Sequence, residues 1–271
     1  MDSMRQAQSS LVPYASDSYI ARMLRLSHGA YVQYMTSLLS AFPSRPILQG
    51  FHPDRRIFAH TQHPSSASDV SQWVRNPLPT GDIGYLVDYE ADDTFGEVIP
   101  QDLWHAGGSE GNARRLMDQG VLQPPIFFIR RNGEVGISLI DANAGATSQI
   151  VGENSPANLG GKTTKHLCLN WTGYSEYKKQ VETQDTHKRP ITLGRLIHRV
   201  GRHVDSYLQV MHEHFDSQDP FWASYLGYSW RQGPDAGWKN SLVIVGIIHV
   251  SQGVWQPVLQ VRGWYPSNAS R

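Results

Sequence analysis

A chain of 271 residues with 24 Lys+Arg against 24 Asp+Glu has no formal net charge, and 39% of its residues are hydrophobic, 18% charged and 10% aromatic. That balance excludes a disordered charged tail, a collagen-like repeat and a disulfide-dense scaffold, and it leaves no global field to draw the protein onto nucleic acid or an anionic membrane. The single cysteine, Cys168, cannot close an internal disulfide, which fits a reducing compartment. No apolar run approaches the roughly 20 residues that span a bilayer, and residues 1–14 lack a signal-peptide core. A soluble, cytoplasmic protein without a membrane partner is expected.

In chain order, Ile20, Met23, Leu24, Tyr31, Tyr34, Met35, Leu38 and Leu39 recur at helical spacing and predict a long helix over about 16–42, with Ser16 or Asp17 as cap and Pro43 as stop. The Ser- and Pro-rich stretch 61–81 reads as a mobile loop. A strand is expected at Ile83–Tyr89, then a short helix over about 110–119 capped by Ser109. The run from Ile126 to Ile140 has Asn132-Gly133 at its centre and reads as a β-hairpin with a type I′ turn. A Gly/Asn-rich loop, 143–161, leads to strands at about 166–171 and 177–183. Leu193, Leu196, Ile197, Val200, Val204, Tyr207, Leu208, Met211 and Phe215 form one apolar face of a second long helix, capped by Thr192 and stapled by Ile191 onto Leu196. Two apolar strands, 242–250 and 254–261, joined by Ser251-Gln252-Gly253, end the pattern. The sum is a single α+β domain over 1–271, with a mostly antiparallel sheet of at least six strands and two long helices packed on one face.

Four constellations could carry chemistry. Asp88, Glu90, Asp92, Asp93 and Glu97 form an acidic cluster able to offer oxygen ligands to a hard cation. Strand-like flanks make a solvated acidic turn the expected reading, with no metal. The segment from Pro156 to Thr163 is similar to a phosphate-binding loop, but a strand rather than a helix follows it, which argues against nucleotide hydrolysis. His187, Lys188, Arg189, Arg195, His198, Arg199, Arg202 and His203 make a basic run in which Arg199 and Arg202 are candidate anion ligands. Finally, His249 in a strand buried on both faces, and His203 on the basic helix, are candidate acid–base residues. Trp230, Trp238 and Trp255, with Trp222 and Trp264, offer flat apolar surface for a ligand.

The segments Trp171-Thr172-Gly173-Tyr174, Pro190-Ile191-Thr192-Leu193 and His249-Val250-Ser251-Gln252-Gly253-Val254-Trp255-Gln256 resemble segments of uncharacterised proteins from mushroom-forming fungi. The resemblance covers the C-terminal part of the chain. It implies a fungal source and transfers no catalytic residue.

With no nucleophile or metal signature, the leading expectation is a protein that binds a small molecule or a protein partner through the aromatic-rich C-terminal half. An enzyme acting on a small apolar or aromatic molecule by histidine acid–base chemistry is the alternative, and an anion or nucleic-acid binder using the helix 192–215 is the third. Nucleic acid is the least expected partner of a neutral chain, and no cofactor is implied. The sequence sets no oligomeric state.

Overall fold

The computed structural model describes residues 17–24, 28–40, 42, 46–51, 54–60, 73, 75–78, 81, 83–92, 95–104, 122–160, 163–171, 174–213 and 238–262. The chain forms two compact units, the first from Met1–Ala91, Pro100–Pro125 and Ile248–Gln252, the second from Asp92–Ile99, Ile126–Ile247 and Gly253–Arg271.

The first unit contains α1 (Tyr19–Met23), α2 (His28–Leu39), β1 (Ile47–Phe51), β2 (Arg56–His60), β3 (Arg75–Pro77) and β4 (Ile83–Tyr89). Its four strands form an antiparallel sheet in the order β1-β2-β4-β3. The first helix is described in two pieces. Ser18 caps α1 in place of Ser16 or Asp17, its Oγ accepting from Ala21 N, and Leu24 closes it at φ −95°. Ile20, Met23, Leu24, Tyr34, Met35 and Leu38 are buried, as their spacing demands. The stretch expected to be all loop contains the edge strand β3, whose Pro77 stands at the strand end, a position that tolerates a residue with no N–H. Trp73 packs edge-on against Phe42 and Tyr85. Residues 61–72 and the helix expected over 110–119 lie outside the described residues.

The second unit contains β5 (Ile126–Phe127), β6 (Ile137–Ser138), α3 (Leu139–Ala144), β7 (Thr164–Leu169), β8 (Tyr177–Glu182), α4 (Leu193–Glu213), α5 (Trp238–Ser241), most of β9 (Leu242–Ser251) and β10 (Val254–Val261). The six-stranded sheet runs β5-β9-β10-β7-β8, with β6 also on β9. Its β10–β7 pair is parallel, while β5 and β6 on β9, and β8 on β7, are antiparallel. Every residue of β9 and β10 is buried, so these strands read as apolar runs rather than alternating ones. Thr192 caps α4 as expected, its Oγ1 accepting from Arg195 N, and Leu196, Ile197, Val200, Val204, Tyr207 and Leu208 face the core with Ile191.

Three expectations change. The fold is α+β and rich in antiparallel pairs, but the strands divide between two sheets and the two long helices between two units, because periodicity marks a buried face without naming what covers it. The hairpin turn is not type I′, since Gly133 (φ +87°) has a positive φ and Asn132 does not. Gly133 N donates to Arg130 O and Arg130 N to Glu134 O, which is a type I turn followed by a glycine bulge. The second arm stops at Ser138, whose Oγ accepts from Asp141 N and starts α3, and Gly145 (φ +72°) ends it. No described helix is long and apolar enough to cross a membrane.

Candidate functional site

In the second unit, β8 and α4 bring an imidazole and several aromatic rings together. β8 is the last strand of its sheet, with Lys178, Lys179 and Gln180 exposed and Tyr177 half-buried. Tyr177 stacks on His203 of α4, with centroids 5.1 Å apart at 29°, and lies 5.4 Å from Tyr207, one helical turn further along. Trp171 meets Tyr207 edge-on at 5.2 Å and Tyr174 at 6.4 Å. Lys179 Nζ stands 5.0 Å from the centroid of the Tyr177 ring, a cation–π distance.

His203 is 4% exposed. Burial, reinforced by the positive charge of Lys179, lowers its pKa to about 4, so the ring is neutral at physiological pH. Neither ring nitrogen has a hydrogen-bond partner among the described residues, and the hydroxyls of Tyr177 and Tyr207 have none either. Burial raises Tyr207 well above the usual phenol range and also raises Tyr174. It likewise raises Cys168, the pattern of an inert core thiol. A neutral imidazole offers one donor and one acceptor, and each phenol offers both, so the cluster can complement a flat ligand that carries polar atoms at its edge.

The other candidates fall elsewhere. His249 belongs to the first unit, where its Nδ1 accepts from Gln123 N at 2.8 Å, a structural bond to a backbone N–H. Trp255 is wholly buried in the core of the second unit. Trp238 begins α5, and its side chain is outside the description. Trp222, Trp230 and Trp264 lie outside the described residues. In the basic run, Arg199 pairs with Glu182 at 3.3 Å and Arg189 with Asp185 at 2.8 Å, whereas Arg195 and Arg202 are exposed. The first α4 amides already have acceptors within the chain: Leu193 N donates to Ser155 O, Gly194 N to Glu153 O and Arg195 N to Thr192 Oγ1. That leaves the helix N-terminus little to offer an anion.

Asp88 of the acidic cluster is buried, accepting from Ile20 N at 3.1 Å and Tyr89 N at 2.8 Å. It is a distant cap for α1, and Asp93 lies outside the described residues. Among the described residues, no group of three or more His, Cys, Asp or Glu side chains is arranged to hold a metal. The loop resembling a phosphate cradle leads into β7, as its following residues imply, and not into a helix.

No family model, curated protein or solved structure matches this chain.

The residues that join His203 were missed singly. Trp171, Tyr174 and Tyr177 recur every third position up to the first residue of β8, and Tyr207 stands four residues after His203, but pairing a strand with a helix face needs the fold.

Proposed function

We propose that the second unit is a binding module for a flat, largely apolar small molecule held against Tyr177, His203 and Tyr207. One observation carries the reading: His203 is buried, yet both its nitrogens, with two neighbouring phenol hydroxyls, lack partners among the described residues. A buried polar group without a hydrogen bond costs about 1–3 kcal/mol, so a ligand supplying a donor and an acceptor would recover stabilisation here. The half-buried Tyr177 on the end strand gives the cluster a solvent-facing side. A cytoplasmic location is part of the same reading, supported by the lone buried cysteine.

Acid–base catalysis draws less support. His249 Nδ1 is occupied by a backbone amide, and an imidazole whose pKa is near 4 is a weak base at neutral pH. The test is a heteronuclear NMR titration with benzamide, a neutral flat amide. The expected result is saturable shifts confined to Tyr177, His203, Tyr207 and Trp171, abolished in His203→Leu. Shifts elsewhere, or none at millimolar benzamide, would overturn the reading.

A further inference from the structure

The charge that acts on His203 is positive and comes from Lys179. The groups around His203 are the phenols of Tyr177 and Tyr207, with Cys168 and Tyr174 beside Tyr207, and burial raises the pKa of Tyr207, Tyr174 and Cys168. Arg199 and Arg202 stand one turn before His203 and beside it on α4. The Arg199 charge is met by Glu182, while Arg202 is exposed. From β8, Lys179 is exposed, lies over Tyr177, and is close enough to bias the protonation of His203. Of the negative groups near this cluster, Glu182 is met by Arg199 and Asp205 by Lys239, while the exposed Glu176, just before β8, acts on Cys168. A flat ligand with a negative group at its edge would stack on Tyr177 and meet Lys179, and its charge would oppose the Lys179 contribution, which adds to burial in keeping His203 unprotonated.

Building on the binding reading above, we infer that the ligand is an aromatic carboxylate or a similar flat organic anion, with its ring on Tyr177, its anion toward Lys179, and its binding coupled to uptake of a proton by His203. The step is a protonation equilibrium: one proton moves from solvent to an imidazole nitrogen as the anion binds. No covalent bond to the ligand forms or breaks.

The probes are benzoate, its neutral analogue benzamide, and acetate, an anion without a ring, each titrated by NMR at pH 5 and pH 8. A charge-assisted contact of ordinary strength corresponds to at least about ten-fold in affinity, so benzoate should bind at least that much tighter than benzamide. Acetate should bind weakest. An opposite charge at contact distance raises a neighbouring pKa by about 1–3 units, and a rise of about two makes benzoate bind roughly ten-fold tighter at pH 5 than at pH 8, with benzamide indifferent to pH. Lys179→Gln, a change at an exposed side chain, should bring benzoate within about two-fold of benzamide. Benzamide binding as well as benzoate would overturn the anionic ligand and leave the binding module standing. Benzoate preferred but insensitive to pH would overturn the proton coupling. Failure of all three probes would overturn both the inference and the reading beneath it.

Discussion

Asp88 is 1% exposed, and its two oxygens accept from Ile20 N and Tyr89 N, so a carboxyl in β4 fastens the first turn of α1. Burial raises its pKa to about 7, opposed by hydrogen bonds from Ser18 and those two amides. The folded value lies above the ordinary carboxylate value near 3.9. Between about pH 4 and pH 7 the folded protein therefore holds a proton that the unfolded chain has released. The stabilising contribution is complete below about pH 4 and is lost as pH rises through about 7, at no more than about 1.4 kcal/mol per pH unit. Asp88→Asn should flatten the pH dependence of urea unfolding for the first unit over that window, and an unchanged slope would show that another group titrates. Gly133 poses a simpler problem. A Cβ built there meets nothing within 4 Å, so only its φ of +87° resists a side chain. Gly133→Val should lower stability by about 1–2 kcal/mol and Gly133→Asn by less, since Asn tolerates the left-handed region. Equal melting temperatures for Val and Asn would contradict a cost set by φ alone.

Gly201 shows what an interior glycine does for an element. A Cβ on it would stand 2.8 Å from Ala142 C and Asn143 N, so α4 passes α3 at backbone distance. Gly201→Ala should destabilise the second unit by about 1–3 kcal/mol despite Ala's better helix propensity, because fixed backbone atoms cannot yield as a flexible side chain can. A gain in stability would mean that the two helices can move apart. The sequence displayed the apolar stripe from Leu196 to Leu208 but gave no sign that Gly201 was a contact. The same division runs through the other elements. β9 and β10 were legible because continuous apolar runs bounded by Gly253 admit few alternatives. α4 was legible because its stripe and its Thr192 cap agree. The hairpin was legible in place and not in type: Asn-Gly suits a two-residue turn, whereas the bond from Arg130 N to Glu134 O fixes a three-residue loop. α3 was hidden because Leu139 and Ile140 continue a strand-like run, and only Ser138 acting as a cap diverts it. Of the candidate site, His203 alone was legible as a functional residue, while Tyr207 read only as part of an apolar helix face. Its partners come from a strand and a helix whose packing no local spacing encodes, and Arg199, singled out for its charge, spends that charge on Glu182.

At the scale of the whole molecule, the two units carry buried ionisable groups of opposite sense. In the first, Asp88 has a raised pKa and holds a proton that the unfolded chain releases. In the second, His203 has a lowered pKa, about 4 against an ordinary 6.5, so the unfolded chain binds a proton that the fold excludes. The His203 contribution is complete above about pH 6.5 and is lost as pH falls toward 4, the reverse of Asp88 over the same window. Moving from pH 7.5 to pH 5 should therefore stabilise the first unit and destabilise the second, each by about 2 kcal/mol for a single fully coupled group. Hydrogen exchange corrected for intrinsic rates can read both at once, using the amides of β4, between β2 and β3, and of β7, between β10 and β8. Protection of Ile83–Tyr89 should be greater at pH 5, and protection of Thr164–Leu169 greater at pH 7.5. Asp88→Asn should remove the first trend alone and His203→Leu the second alone. If both strands instead moved together in one direction, the chain would be opening as one cooperative body, and the division into two units would not describe its stability.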